Sequence, residues 1–231
     1  MIKRIESAAR QQRKKGRGTA GAFSAVLLLC ALSTLYAVSV RSAEVVARKR
    51  ELPIYCVDRA DQKIAISFDA AWGGDKTRKI LDILDEYQVK TTFFLVDIWT
   101  QRFPELVKEI AARGHEIGNH STSHPQMSKL SAEKIAQELK TMSDEAEALT
   151  GARPRLFRPP YGDYNNQVVL TARAEGYEVI QWSVDSLDWK NRGVQDLVNR
   201  ATQKVRSGDI VLFHNDSQYI LDALPAVLKY Y

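Results

Sequence analysis

The chain has 231 residues, of which 45% are hydrophobic and 26% are charged, with 33 Lys and Arg against 28 Asp and Glu. This balance excludes collagen-like, low-complexity and wholly disordered proteins, and the length is sufficient for one domain with a substantial core. The two cysteines, Cys30 and Cys56, are too few for a disulfide scaffold or for a zinc site built only from cysteine.

The positive charge of the chain is concentrated at its N-terminus. Residues 1–18 contain seven Lys or Arg and one acid, so they carry 7 − 1 = +6, and residues 19–40 carry no charge. The formal net charge of +5 therefore leaves 5 − 6 = −1 for residues 41–231. A nucleic-acid-binding tail is disfavoured, because no aromatic side chains interleave the basic residues.

Residues 19–40 form an uncharged, largely apolar run. About 20 apolar residues span a bilayer core as a helix, and a preceding block of positive charge stays cytoplasmic. We therefore expect a single-pass cell membrane protein with a cytoplasmic tail at 1–18, a transmembrane anchor at 19–40 and an extracytoplasmic body. A cleaved signal peptide is the alternative, although its apolar region is usually only about 7–15 residues and the best cleavage site here, Ala37-Val-Ser39, is poor.

Strand-like and helix-like patterns alternate after a polar stalk at 41–62. The predicted strands are 64–69, 91–96, 115–119, 156–158, 178–184 and 209–214. Such alternation with short connections predicts a parallel α/β sheet or barrel over 63–231. The chain stops on a predicted helix without a final strand, so we expect a C-terminus truncated before the last strand. An open six-stranded sheet is the alternative.

Ionisable side chains stand at the ends of five predicted strands. They are Asp69, His120 with His124, Arg158, Asp185 with Asp188, and His214. In parallel barrels and sheets the carboxyl ends of the strands face one pocket, so these groups should converge on one site. Polar residues that merely begin loops are the alternative, and five coincidences of this kind disfavour it.

The residue types at these ends predict hydrolytic chemistry. His120 and His124 lie four residues apart on a loop or single turn, and neutral imidazole is the commonest protein ligand for zinc and similar metals. Asp69 near a metal is a candidate general base whose pKa is held low by Arg158 or by a cation. His214 is a candidate general acid that an aspartate partner keeps protonated.

Two further motifs predict substrate contacts. Arg158-Pro-Pro-Tyr161-Gly162 is an arginine followed by a rigid turn, which can point backbone N–H groups at an oxyanion. A surface turn with a salt-bridged arginine is the alternative. Trp189 stands beside two acids, an arrangement typical of sugar stacking, although a tryptophan is more often simply part of the core.

These motifs, in this order, resemble those of the NodB-like polysaccharide deacetylases, carbohydrate esterase family four. The matching segments are Ser67-Phe-Asp69, His120-Ser-Thr-Ser-His124, Arg158-Pro-Pro-Tyr161-Gly, Asp185-Ser-Leu-Asp188-Trp189 and Leu212-Phe-His214. The resemblance covers residues 63–231. Within the family, Ser67-Phe-Asp-Ala-Ala-Trp-Gly73 after Leu52-Pro-Ile-Tyr55 is similar to the PdaB-type sporulation subgroup.

The resemblance implies a distorted (β/α)7-type barrel that removes acetyl groups from N-acetylated sugars of peptidoglycan or a chitin-like polymer. It implies a divalent metal, zinc in the first place, with cobalt or manganese as alternatives. The implied roles are His120 and His124 as metal ligands, Asp69 as base oriented by Arg158, Tyr161 as oxyanion N–H donor, His214 as acid with Asp188 behind it, and Trp189 and Leu212 as acetyl-pocket lining.

One position departs from the family pattern. Ala70 stands where the family usually carries a second aspartate as the third metal ligand, so the metal would be held weakly unless Asp75 or Asp69 completes the set. We expect a metal-dependent N-deacetylase of cell-wall glycan that acts in sporulation, as a monomer and without nucleic acid. A weak or inactive glycan-binding protein of wall or spore assembly is the second hypothesis, and an esterase of O-acetyl groups is the third.

Overall fold

The structure is a computed structural model that describes residues 28–36 and 50–231. Two units are distinguished, Met1–Arg50 and Glu51–Tyr231. In the first, residues 28–36 are helical with exposed side chains. No helix within the described ranges is both long enough and apolar enough to cross a membrane. The predicted tail and most of the predicted anchor lie outside those ranges, so the anchor is not supported by the structure and stays a prediction.

A seven-stranded parallel sheet forms the centre of the unit Glu51–Tyr231, with the strand order β5-β4-β3-β2-β1-β7-β6. The strands are β1 Ala65–Ala70, β2 Thr92–Leu95, β3 Glu116–Asn119, β4 Leu156–Phe157, β5 Glu178–Val179, β6 Val184–Asp185 and β7 Ile210–His214. The register pairs Asp69 with His214 across β1 and β7. The two residues therefore end neighbouring strands at the same edge of the sheet.

Helices connect the strands, as the alternation predicts. They are α1 Thr77–Glu86, α2 Asp97–Arg102, α3 Pro104–Ala112, α4 Ala132–Thr150, α5 Asn166–Ala174, α6 Val194–Thr202 and α7 Ile220–Tyr230. The long helix α4 is capped at both ends. The Ser131 side chain accepts a hydrogen bond from the Lys134 N–H, and Gly151 ends the helix with φ 75°.

The single strand predicted over 178–184 is wrong, because this stretch contributes to both edges of the sheet. β5 pairs with β4 at one edge, and β6 pairs with β7 at the other. Between them, Ile180 donates to the Phe157 carbonyl at 2.8 Å and Ser183 donates to the Ile210 carbonyl at 3.0 Å. The sheet therefore curls into a parallel α/β half-barrel whose two edges are joined by residues 180–183. The expected truncation after the last residue stays a prediction.

The stalk predicted at 41–62 is in part a component of the barrel. Ile54 donates to the Val179 carbonyl and its own carbonyl accepts from Gln181, both at 2.8 Å. Val57 donates to the Gly208 carbonyl at 2.9 Å. Residues 51–57 thus run across the end of the barrel near the seam that joins its edges.

The alternation of side chains along β1 separates the core from the site. Phe68 and Ala70 lie in the apolar core between sheet and helices, and Phe68 stacks on Phe93 with ring centroids 5.1 Å apart. Because successive strand residues point to opposite faces, Ser67 and Asp69 point to the other face of the sheet. The strand that builds the core therefore also carries the aspartate inside the barrel.

Candidate active site

A cavity of about 570 Å³ opens at the carboxyl ends of the strands. The predicted residues among its lining are Asp69, His120, His124, Tyr161, Asp185, Trp189, Leu212 and His214. The structure thus brings together side chains from β1, from β7 and from the loops after β3, β4 and β6. Arg158 and Asp188 lie behind the lining, each bonded to one of these residues.

Asp69 and Arg158 form an ion pair inside the barrel. Arg158 Nη1 donates to Asp69 Oδ1 at 2.8 Å and to Ser67 Oγ at 2.9 Å, and Nη2 donates to the Gln181 carbonyl at 3.1 Å. The guanidinium carbon lies 4.1 Å from the Phe94 ring centroid. Burial, the largest influence, would raise the pKa of Asp69, but the charge and hydrogen bond of Arg158, together with the nearby His120 and His214, outweigh it and hold that pKa below its ordinary value. The carboxylate is therefore ionised.

His120 is oriented by the backbone at the end of β4. Its Nδ1 lies 2.7 Å from the Arg158 carbonyl oxygen, and its Nε2 lies 3.5 Å from Asp69 Oδ2. Because a carbonyl oxygen only accepts, Nδ1 carries the proton and Nε2 presents its lone pair, an assignment made from the hydrogen-bond partners. Burial lowers the pKa of His120, so the imidazole is neutral.

His124 completes the pair of imidazoles. Its ring centroid lies 5.0 Å from that of His120 and 4.5 Å from that of Tyr161. Burial lowers the pKa of His124 to about 4, so this ring is neutral as well. Its Nδ1 is buried without a hydrogen-bond partner among the described residues. A buried ring nitrogen without a partner is available to a ligand.

Glu138 holds the loop that carries the two histidines, and sequence reasoning missed it. Its Oε2 accepts from the Thr122 N–H at 2.9 Å and from the Ser123 N–H at 2.8 Å. Its backbone carbonyl accepts from Thr122 Oγ1 at 2.8 Å. Glu138 lies on α4, far from the loop in sequence, and no local pattern marks it as a site-building residue.

The two neutral histidines fit a divalent metal, but the ligand set is one short of three. Ala70 lies in the apolar core and offers no donor atom. The structure does not bring Asp75 to the histidines, because it lines a separate cleft beside Phe103. Within the part of the chain that the structure describes, no three His, Cys, Asp or Glu side chains are grouped closely enough to hold a metal ion. Structural and catalytic zinc sites normally have at least three protein ligands.

His214 and Asp188 form a second charged pair at the cavity wall. His214 Nδ1 lies 2.7 Å from Asp188 Oδ1, and the His214 backbone N–H donates to Oδ2, also at 2.7 Å. Burial alone would lower the pKa of His214, but the hydrogen bond and the charge of Asp188 raise it above its ordinary value. The Asp188 carboxylate therefore favours the protonated form of the His214 imidazole.

Tyr161 sits in a turn whose backbone is left-handed at two successive residues. Tyr161 has φ 59° and Gly162 has φ 66°. The turn is closed by hydrogen bonds from Gly162 to Pro159 and from Asp163 to Pro160, each 3.0 Å long. Neither of these two hydrogen bonds uses the N–H of Tyr161. The Tyr161 side chain is 65% exposed at the cavity mouth.

Asp185 and Trp189 differ in role although they are close in sequence. Asp185 accepts from the Leu187 N–H at 2.9 Å and from Trp182 Nε1 at 3.3 Å, so its carboxylate orders the loop. Trp189 is 54% exposed and lines the cavity. The alternative of a core tryptophan therefore fails at this position.

The curled parallel half-barrel is the fold of family 4 carbohydrate esterases, and it brings an aspartate, two imidazoles and a His–Asp pair together at one end. The family model described as polysaccharide deacetylase matches residues 57–180, which is more than half of the chain. The chain therefore belongs to the polysaccharide deacetylase family, as the five motifs predict.

Relatives of known sequence differ in the sugar that their names give. A peptidoglycan-N-acetylglucosamine deacetylase of Bacillus cereus is 38% identical over 74% of this chain and 83% of its own. The peptidoglycan-N-acetylmuramic acid deacetylase PdaC of Bacillus subtilis is 33% identical over 75% of this chain and 36% of its own. The uncharacterised protein YlxY of the same species is 36% identical over 70% of this chain. The chain spans about half the length of YlxY, 51%.

Solved structures of the family superpose on the barrel. BA3943 of Bacillus anthracis, described as a CE4 family pseudoenzyme, has a TM-score of 0.74 at 33% identity and covers 77% of this chain and 63% of its own. A BA3943 mutant with restored enzymatic activity has the same TM-score of 0.74 at 34% identity, with 77% and 65% covered. PdaA of Bacillus subtilis, a family 4 carbohydrate esterase, has a TM-score of 0.73 at 29% identity, with 77% of each chain covered.

Proposed function

We propose that the chain is a metal-dependent N-deacetylase that hydrolyses acetyl groups from amino sugars of cell-wall glycan, peptidoglycan or a chitin-like polymer, in sporulation. The observation that carries this proposal is the grouping, in one cavity, of ionised Asp69, two neutral histidines and the His214–Asp188 pair. The names of the relatives support the substrate class.

The base and its neighbours do the first half of the reaction. His120 and His124 would hold a divalent metal, zinc by our proposal with cobalt or manganese as alternatives, and such a metal polarises a carbonyl and acidifies water. Asp69 accepts the proton of the attacking water, because its carboxylate is ionised. Arg158 occupies Oδ1, which leaves Oδ2 for that proton.

Residues on the other side of the cavity stabilise the tetrahedral intermediate and release the amine. The Tyr161 N–H donates to the oxyanion that forms on the acetyl carbon. His214 donates its proton to the leaving amine, and Asp188 keeps that proton in place until it is needed. Trp189 and Leu212 line the cavity where the acetyl methyl group would lie.

A second candidate function is a glycan-binding protein with little or no turnover, used in wall or spore assembly. The specific observation in its favour is Ala70, which leaves the metal with two ligands. The similarity to BA3943, which is described as a pseudoenzyme, supports the same alternative.

Ala70→Asp distinguishes the two functions. The Ala70 methyl group is fully buried at the last position of β1, so an aspartate there is an unpaired buried charge unless its carboxylate turns from the core to a cation held by the two histidines. We expect Ala70→Asp to melt below the wild type in chelator and to be stabilised by zinc, by about 2.7 kcal/mol at 100 times Kd. Ala70→Asn is the matched control, because it adds the same bulk without the charge.

The measurements are metal content and acetate release from peptidoglycan and chitooligosaccharides with zinc, cobalt or manganese. Stoichiometric metal in the wild type, with acetate release lost in His120→Ala and Asp69→Asn, supports the enzyme. A folded wild type with neither metal nor acetate release, together with an Ala70→Asp variant that has both, supports the binding protein. Parallel assays with O-acetylated substrates test the esterase hypothesis.

We propose that the chain is a monomeric single-pass membrane protein with a cytoplasmic N-terminus and an extracytoplasmic catalytic unit. The +6 charge of residues 1–18 before an uncharged run of 22 residues supports this arrangement. N-terminal sequencing of the membrane-fraction protein should find residues near Met1. A mature start near Glu44 in a released protein would show a cleaved signal peptide instead.

A further inference from the structure

Asp216 is a charged side chain of the cavity that the sequence motifs do not mark and that the deacetylation steps do not use. It follows His214 in the loop between β7 and α7 and lines the cavity together with Trp72 and Trp189. Its side chain is 48% exposed, so a bound ligand can reach the carboxylate.

The Asp216 carboxylate lies against the loop after β1. A Cβ atom added to Gly73 would lie 2.4 Å from Asp216 Oδ1, so only glycine at this position permits the approach. Lys76 Nζ donates to the Asp216 carbonyl at 3.0 Å and lies 3.8 Å from Oδ1. The Gly73 carbonyl in turn accepts from Asn215 Nδ2 at 2.6 Å. The two loops are thus tied together beside the cavity.

The charges that face the cavity are mostly negative. The carboxylates of Asp69, Asp185 and Asp216 line it, against one imidazole whose protonation Asp188 favours, that of His214. None of the described lining residues is Lys or Arg. The cations that balance two of these acids, Arg158 and Lys76, lie behind the lining. A ligand in the cavity therefore meets carboxylate oxygens before it meets any permanent cation.

We infer that Asp216 is a specificity-determining residue that selects a neutral N-acetylated hexosamine and disfavours an amino sugar that carries a carboxylate near the reacting acetamide. Its oxygens accept a hydrogen bond from a sugar hydroxyl group, whereas a substrate carboxylate is repelled and cannot donate. This inference rests on the proposed function. The relatives leave the choice open, because their names include both N-acetylglucosamine and N-acetylmuramic acid deacetylases at 38% and 33% identity.

The test compares two ligands of nearly the same size, of which one carries carboxylates and the other carries neutral amides that can also donate hydrogen bonds. Both are tetrasaccharides of alternating N-acetylglucosamine and N-acetylmuramic acid, one with free lactyl carboxylates and one with the same groups amidated. By calorimetry on the full-length chain, we expect the wild type to bind the amidated ligand about tenfold more tightly. The preference should fall as ionic strength rises, because salt screens the repulsion.

Three variants locate the source of the preference. Asp216→Asn keeps the side-chain shape and should reduce the preference to about twofold or less. Gly73→Ala keeps the charge but displaces the flexible Asp216 side chain, so it should reduce the preference without unfolding the protein. Asp222→Asn removes an exposed acid of α7 that does not line the cavity, and it should leave the preference unchanged.

The outcomes separate this inference from the proposed function. Equal binding of the two ligands by the wild type, or an unchanged preference in Asp216→Asn, overturns the inference even if acetate is released. Absence of binding to either ligand overturns it as well. A charge preference that depends on Asp216 in a protein that releases no acetate supports the inference and contradicts the deacetylase function.

Discussion

Three histidines in one cavity are held in different protonation states by different forces. At His120 and His124, burial would strip water from a charged ring, and this is the largest influence on the pKa. It lowers both pKa values, so both imidazoles stay neutral. At His214 burial acts in the same direction, but the buried Asp188 carboxylate at 2.7 Å outweighs it. The cavity therefore places two rings that favour the neutral form beside one that favours the protonated form, a division that suits the acid–base hydrolysis proposed above.

The His214–Asp188 pair predicts the alkaline limit of activity. The raised pKa of His214 means that its cationic form, and the stability gained from the pair, is fully present below the unfolded pKa of about 6.5 and is lost as pH rises through the folded value. Asp188→Asn removes the charge that raises this pKa. We expect the alkaline limb of acetate release to move to lower pH, and His214→Ala to reduce the rate by about 10²- to 10⁴-fold.

NMR titration of the His214 imidazole checks the same prediction without relying on turnover. The imidazole should titrate at lower pH in Asp188→Asn than in the wild type. An unchanged titration would show that Asp188 does not hold the proton on His214.

Two glycines at helix-to-strand junctions have the same backbone conformation but different surroundings. Gly176 and Gly208 both have positive φ, 88° and 83°. An added Cβ at Gly176 would meet no atom within 4 Å, whereas one at Gly208 would lie 1.7 Å from the Val57 carbonyl oxygen. Gly208 thus gives residues 51–57 room to pass across the end of the barrel.

This contrast predicts the stability of two matched variants. Gly176→Ala should cost only the left-handed strain of a residue with a Cβ, about 1–2 kcal/mol. Gly208→Ala should cost about 2 kcal/mol more, because the Val57 backbone must also move away. Urea denaturation measures both free energies of unfolding. Equal costs would show that residues 51–57 are not tightly docked on the barrel.

Local patterns predicted most elements and the residues at the strand ends, because those depend on neighbours in sequence. The apolar run that ends at Asp69 forms β1, and the apolar residues Ile80, Leu81 and Leu84, which recur at helical spacing, are buried on α1. What the sequence did not reveal depends on distant contacts. The division of 178–184 between two sheet edges, the hold of Glu138 on the histidine loop and the approach of Asp216 to Gly73 each join segments far apart in the chain.

At the scale of the whole molecule, Arg158 ties the site to the closure of the barrel. It comes from the loop after β4, binds Ser67 and Asp69 on the central strand β1, and donates to the Gln181 carbonyl in the segment that joins the two edges. Its side chain is fully buried between the Phe94 and Trp182 rings. The residue that binds Asp69 in the cavity therefore also links the central strand to the segment that closes the sheet.

Arg158→Met tests this double role. The substitution leaves Asp69 as a buried carboxylate without its cation, so we expect a loss of about 3–5 kcal/mol in the free energy of unfolding at pH 7. The double variant with Asp69→Asn removes the unpaired charge and should recover part of that loss. Arg153→Met is the surface control, since Arg153 pairs with exposed Asp144 and Glu147, and its cost should be about 0–1 kcal/mol.

The cost of Arg158→Met in unfolding free energy should depend on pH through the ionisation of Asp69. In the wild type the lowered pKa of Asp69 contributes stability that is present above its unfolded value of about 3.9 and is lost as pH falls through the folded value. In Arg158→Met burial acts unopposed by that cation, and the protonated carboxyl is the form that the folded state tolerates. The difference in unfolding free energy between the two proteins should therefore shrink as pH is lowered from 7 toward 4. A constant difference would mean that Arg158 stabilises the barrel through packing and its bonds to Ser67 and Gln181 alone.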